Sequence, residues 1–128
     1  VTAVLDASAV LALIYREDGH EQVAAQVRGA VISAVNFSEV VQKLAQNGHP
    51  TPTEAAGVVL SLGATVAAFT AAEAVDAALL WAPTRGNGLS FGDRACLAVA
   101  ASIPGGRAVT ADKAWARVDV GVPVDLIR

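Results

Sequence analysis

Apolar residues fall along this chain in two alternating rhythms. Short unbroken apolar runs at 1–5, 31–34, 65–69, 107–110 and 122–127 predict strands, the first buried on both faces of a sheet. Between them, apolar positions at helical spacing predict helices over 8–15, 21–28, 37–46, 53–62, 71–81 and from 92 or 93 to 102, with a short one at 113–118. The 37–46 segment shows the spacing most plainly, with Phe37, Val40, Val41 and Leu44 on one face. Gly19-His20, Asn47-Gly48, Pro50, Pro52 and Pro104-Gly105-Gly106 punctuate these elements, and 83–88 reads as a loop. No repeat, linker or low-complexity tract interrupts the pattern, so 1–128 reads as one domain. Strands alternating with helices predict an α/β fold whose parallel sheet is covered on both faces through right-handed crossovers.

In such sheets ligands bind beyond the carboxyl ends of the strands, near the point where strand order reverses. Asp6 directly follows the first predicted strand, and Asp112 lies two residues past the fourth. Glu39 sits in the first turn of the helix after the second strand, and Asp93 opens the helix before the fourth. Each has an ordinary structural reading. Asp6 and Asp112 suit helix N-caps, each worth about 0.5–2 kcal/mol. Glu39 stands at capping-box spacing from Asn36 and at i+4 pairing distance from Lys43, while Asp93 stands at box spacing from Ser90. Taken together the four read differently. Carboxylates gathered at one edge repel one another and resist desolvation, and a divalent cation relieves both. An all-oxygen ligand set without His or Cys selects a hard ion, Mg²⁺ or Mn²⁺, whose chemistry beside a phosphodiester is metal-assisted phosphoryl transfer.

Composition narrows the field around that reading. The chain is 54% hydrophobic and 16% charged, which excludes intrinsic disorder and suggests apolar surface to spare for a partner. The single cysteine, Cys96, lies in an apolar run and reads as a buried thiol; with no partner for it, a Cys–His or Ser–His hydrolase is disfavoured. The net charge is −3, but its distribution is uneven: residues 1–84 carry three basic and eight acidic side chains, residues 85–128 six and four. An anionic substrate is therefore steered by the C-terminal third. No basic stretch leading into an apolar core marks a secretory signal. The uncharged stretch 55–72 contains Gly57, Ser61, Gly63, Thr65 and Thr70 and reads as a buried helix followed by a buried strand rather than a membrane span. A soluble, cytoplasmic protein is the expectation.

Four local sequences carry a family resemblance. Val4-Leu5-Asp6-Ala7-Ser8-Ala9 resembles the first motif of the PIN-domain nucleases, and Asn36-Phe37-Ser38-Glu39-Val40 their second. Leu89-Ser90-Phe91-Gly92-Asp93-Arg94-Ala95-Cys96-Leu97-Ala98 is similar to the third motif of the VapC toxins, and Val109-Thr110-Ala111-Asp112-Lys113-Ala114-Trp115 to the fourth. Order and spacing match along essentially the whole chain. The resemblance implies a three-layer α/β/α sandwich around a mostly parallel five-stranded sheet. It also implies an endoribonuclease toxin of a bacterial toxin–antitoxin pair, leaving 3′-hydroxyl and 5′-phosphate ends, that forms a homodimer and is inhibited by a VapB-like antitoxin. Asp6 and Asp93 would be the principal metal ligands, with Glu39 and Asp112 completing the pocket. Ser8 and Thr110 match supporting hydroxyl positions that also suit helix capping, and Arg94 and Lys113 adjoin two of the acids as candidate phosphate contacts. Two rivals stay open: a phosphoacceptor receiver domain, which would need an acidic pair upstream that Val1-Thr2-Ala3-Val4-Leu5 lacks, and a non-catalytic partner-binding domain.

Overall fold

The computed structural model describes residues 1–128 and places five parallel strands in one sheet. Strand β1 (Thr2–Leu5) leads through α1 (Ala7–Tyr15) and α2 (His20–Gln26) to β2 (Val31–Ser33). Helices α3 (Ala34–Gln46) and α4 (Pro52–Ser61) then lead to β3 (Thr65–Ala67). The chain returns through α5 (Ala71–Leu79), α6 (Trp81–Thr84), a 3₁₀ turn (Arg85–Asn87) and α7 (Phe91–Ser102) to β4 (Gly106–Thr110). A second 3₁₀ turn (Lys113–Arg117) precedes β5 (Val124–Leu126). Strand order is β3-β2-β1-β4-β5, with every pair parallel. Order therefore reverses between β1 and β4, where crevices open at the carboxyl edge of a doubly wound sheet.

Adjacent strand residues point to opposite faces, and this alternation divides the core in two. Leu5, Ile32 and Val109 pack beneath α1 to α4 with Ala9, Val10, Val23, Val40, Leu44 and Val59. Their neighbours Val4, Val31 and Ala108 pack on the other face against Cys96, Leu97, Val99 and Ala100 of α7 and against Trp115. Helices cover both faces, so the expected three-layer α/β/α sandwich forms.

Several local expectations shift. Helix α3 begins at Ala34, directly off β2, because the Ser33 side chain accepts from Val35 N at 3.2 Å and caps it three residues earlier than the apolar spacing suggests. Residues 83–88 are not a plain loop: α6 and a 3₁₀ turn carry the chain through them. The uncharged 55–72 stretch is only partly buried, since Val58, Leu60, Leu62 and Val66 are exposed. Its strand β3 lies at the sheet edge, where periodicity cannot distinguish an edge from the middle. No helix is long and apolar enough to cross a membrane.

Candidate active site

The reversal between β1 and β4 brings Asp6 and Thr110 side by side. Asp6 ends β1, and its backbone N–H continues the ladder to the Val109 carbonyl at 3.1 Å. Its Oδ1 caps α1 by accepting from Ala9 N at 2.8 Å and from the Ser8 hydroxyl at 2.7 Å. Its Oδ2 accepts from the Thr110 hydroxyl at 2.5 Å. Asp6 is only 4% exposed, so burial pushes its carboxyl up to about 6. The hydrogen bonds from Thr110, Ala9 and Ser8 hold it lower than burial alone would, and Asp93 pushes it further up. Ser8 and Thr110 also organise the next acid: Ser8 Oγ accepts from Ala111 N at 2.9 Å, and Thr110 Oγ1 from Asp112 N at 3.0 Å.

The other three acids line the same edge from separate elements. Asp93 is the third residue of α7 and completes a true capping box. Ser90 Oγ accepts from Asp93 N, and Asp93 Oδ2 accepts from Ser90 N at 2.9 Å. Burial raises its pKa, its bonds to Ser90 oppose that rise, and Asp112 adds to it. Asp112 caps the second 3₁₀ turn by accepting from Ala114 N at 2.9 Å. Glu39 lies a turn deeper in α3 than expected and forms neither of its anticipated local partnerships. Asn36 is inside the helix rather than capping it, and no ion pair joins Glu39 to Lys43. Instead Asn36 Nδ2 donates to Glu39 Oε1 at 2.8 Å and to the Gly92 carbonyl at 2.9 Å. The buried Cys96 thiol senses three of the four: burial pushes its pKa well up, and Asp6, Asp93 and Glu39 push it further.

Capping and ligation prove compatible readings of these acids. Asp93, Asp112 and Glu39 each commit one carboxylate oxygen within the chain and leave the other without a hydrogen-bond donor. The three ion pairs of the molecule are His20–Glu21, Arg107–Asp125 and Arg128–Glu17, so no basic side chain neutralises any of the four acids. A hard divalent cation fits this donor set. As placed, however, no three of the carboxylates close around one point. The edge is a shared acidic neighbourhood, not a finished cage.

The two candidate phosphate contacts differ. Lys113 is exposed and forms no ion pair. Arg94 is turned toward α5: its Nη1 donates to the Ala77 carbonyl at 2.8 Å, and its guanidinium lies 5.8 Å from the Phe91 ring centroid. Asn36 and Gly92 are the residues that sequence spacing missed. The only signal was Asn36 three before Glu39, which reads equally well as a cap.

The class defined here is a doubly wound α/β domain with four unneutralised acids along the carboxyl edge at its switch point. The PIN-domain family model matches residues 3–121, and the chain belongs to the PIN-domain family. No curated protein matches it in sequence. Among solved structures, a toxin–antitoxin complex from Klebsiella pneumoniae matches over 98% of both chains at 18% identity, with a TM-score of 0.72. VapBC2 from Rickettsia felis, bound to a DNA fragment from its promoter, matches over 98% of both chains at 13% identity, with a TM-score of 0.74. Mycobacterium tuberculosis VapC20, described as a sarcin–ricin loop cleaving toxin, matches at 22% identity over 94% of this chain and 99% of its own, with a TM-score of 0.73. At these identities the likeness is one of fold.

Proposed function

We propose that this chain is a divalent-metal-dependent endoribonuclease that acts as the toxin of a toxin–antitoxin pair. One observation carries the reading: four carboxylates from four elements line the sheet's switch point without a basic partner, and burial, with Asp93 beside Asp6 and Asp112 beside Asp93, raises the pKa of Asp6 and of Asp93. Membership of the PIN family and likeness to VapC20, a toxin that cuts RNA, support the substrate class. Asp6 and Asp93 would hold Mg²⁺ or Mn²⁺, with Glu39 and Asp112 presenting their free oxygens beside them. A bound ion would supply Lewis-acid polarisation of the phosphodiester and activation of water at neutral pH.

The chain's own residues do the rest. Thr110 and Ser8 fix the Asp6 carboxylate by three hydrogen-bonding contacts shared with Ala9 N, so that it meets its ligand without reorganising. The Ser90 box holds Asp93 by one oxygen and presents the other. Lys113, exposed beside Asp112, is available to the RNA backbone.

The likeness to toxin–antitoxin complexes supports a VapB-like partner for this chain as well. A groove between α1, α2 and α4, lined by Leu13, Ile14, Ala24, Ala55, Val58 and Leu62, offers an amphipathic segment an apolar seat. Val10, Val23 and Val27, from the same part of the chain, are core residues and unavailable. A homodimer belongs to the same reading, with the exposed Val66, Val75 and Leu79 as candidate contact residues.

The test is cleavage of RNA by purified protein, with sequencing of new 5′-phosphate ends. Wild type is expected to cut with Mg²⁺ or Mn²⁺ and to stop in EDTA, while Asp6→Asn and Asp93→Asn fold but lose cleavage at least about 100-fold, in line with loss of a group acting in the transition state. Full cleavage in excess chelator would sink the metal requirement.

A further inference from the structure

Asn36 joins two of the elements that carry the acids. Its side chain is 1% exposed, and its single amide group donates to both Glu39 Oε1 and the Gly92 carbonyl. Both partners are acceptors, so the amide has one workable orientation: turned over, it would set oxygen against two oxygens. That orientation leaves Asn36 Oδ1 buried without a partner. An unsatisfied buried acceptor is a cost to folding that an apolar side chain at this position would not carry.

Gly92 completes the arrangement. Its backbone is not among the positive-φ residues, so conformation does not demand glycine there, and a helix position favours alanine. Space demands it. A Cβ on Gly92 would overlap both carboxylate oxygens of Glu39. The Glu39 carboxylate thus lies flat against the first turn of α7, one residue before Asp93, held there by an amide that bridges to the same turn.

We propose that Asn36 and Gly92 are positioning residues, a clamp that seats Glu39 against the Asp93 turn and sets its free oxygen toward the acidic edge. The consequence for activity rests on the nuclease reading above; the clamp itself does not.

Gly92→Ala is the informative variant. Its new Cβ meets only the end of a flexible side chain, so Glu39 swings out while the helix keeps a good former. Two double-mutant cycles read the outcome, Gly92→Ala with Glu39→Ala and Asn36→Ala with Glu39→Ala. One readout is kcat and KM for RNA cleavage together with Mn²⁺ affinity by calorimetry. The other is urea unfolding in chelator, which needs neither metal nor substrate. Gly92→Ala and Glu39→Ala are each expected to lower kcat or Mn²⁺ affinity by about 10–100-fold, as loss of a ligand-orienting contact does. The double variant is expected to fall no further than Glu39→Ala alone. Unfolding should show Asn36→Ala to be costly in wild type and much less so once Glu39 is gone. Multiplying losses in the double variant, or additive unfolding effects, would overturn the clamp while leaving the nuclease reading intact. Coupled unfolding with no cleavage by wild type would support the clamp and remove the nuclease reading.

Discussion

A buried carboxylate at a strand end makes the folded protein sensitive to pH in an unusual direction. The Asp6 pKa rises from 3.8 to about 6 on folding, chiefly through burial. The folded state therefore keeps its proton to higher pH than the unfolded chain. The stability this confers is complete below the unfolded value and is lost as pH rises through about 6. At 1.36 kcal/mol per unit, the loss is about 3 kcal/mol. In chelator, Asp6→Asn should therefore gain on wild type by about that amount between pH 4 and pH 7. Urea unfolding at both pH values measures the difference, and a gap that stays constant with pH would contradict the assignment. The Asp125 carboxyl behaves oppositely: the hydrogen bond from Arg107 lowers its pKa, so its contribution fades as pH falls, and its partial exposure keeps that contribution small.

At the scale of elements, the helices are placed by polar contacts that their apolar faces do not encode. Arg94 leaves α7 to bond the Ala77 carbonyl in α5 and to lie over Phe91, whose ring meets Phe69 edge-on at 5.7 Å. Arg94→Ala removes a charged donor from that carbonyl and should cost about 1–3 kcal/mol of stability, read by urea unfolding. Wild-type stability in that variant would show that the bridge holds nothing. The boundaries of α3 teach the same lesson. The run Phe37, Val40, Val41, Leu44 makes the helix legible, but its start is set by the Ser33 hydroxyl at the end of β2. Moving the start back three residues places Asn36 inside the helix. An apparent cap thereby becomes a cross-link between α3 and α7, which no single-chain spacing rule could express.

For the whole molecule, alternating strands and helices were enough to anticipate a parallel sheet with two covered faces, because a sheet buried on both sides needs continuous apolar runs such as Val4-Leu5 and Ala108-Val109. Strand order was not legible in the pattern, and with it went the edge position of β3 and the exposure of Val58, Leu60 and Leu62. The acids themselves were legible, since a carboxylate just past a strand end falls at the one edge where such folds work. Their local bonds were legible only in part: Asp6, Asp93 and Asp112 do cap helical turns, yet Glu39 does not pair as its neighbours suggest. What the fold adds is that none of the four meets a basic side chain.

That unneutralised charge is the centre of the account, and calorimetric titration with Mn²⁺ at neutral pH tests it most directly. Wild type should bind Mn²⁺ at a protein site and release it to EDTA, and Asp93→Asn should bind at least about tenfold more weakly while remaining folded. Equal Mn²⁺ affinity in wild type and Asp93→Asn, or no binding by wild type at millimolar Mn²⁺, would contradict it.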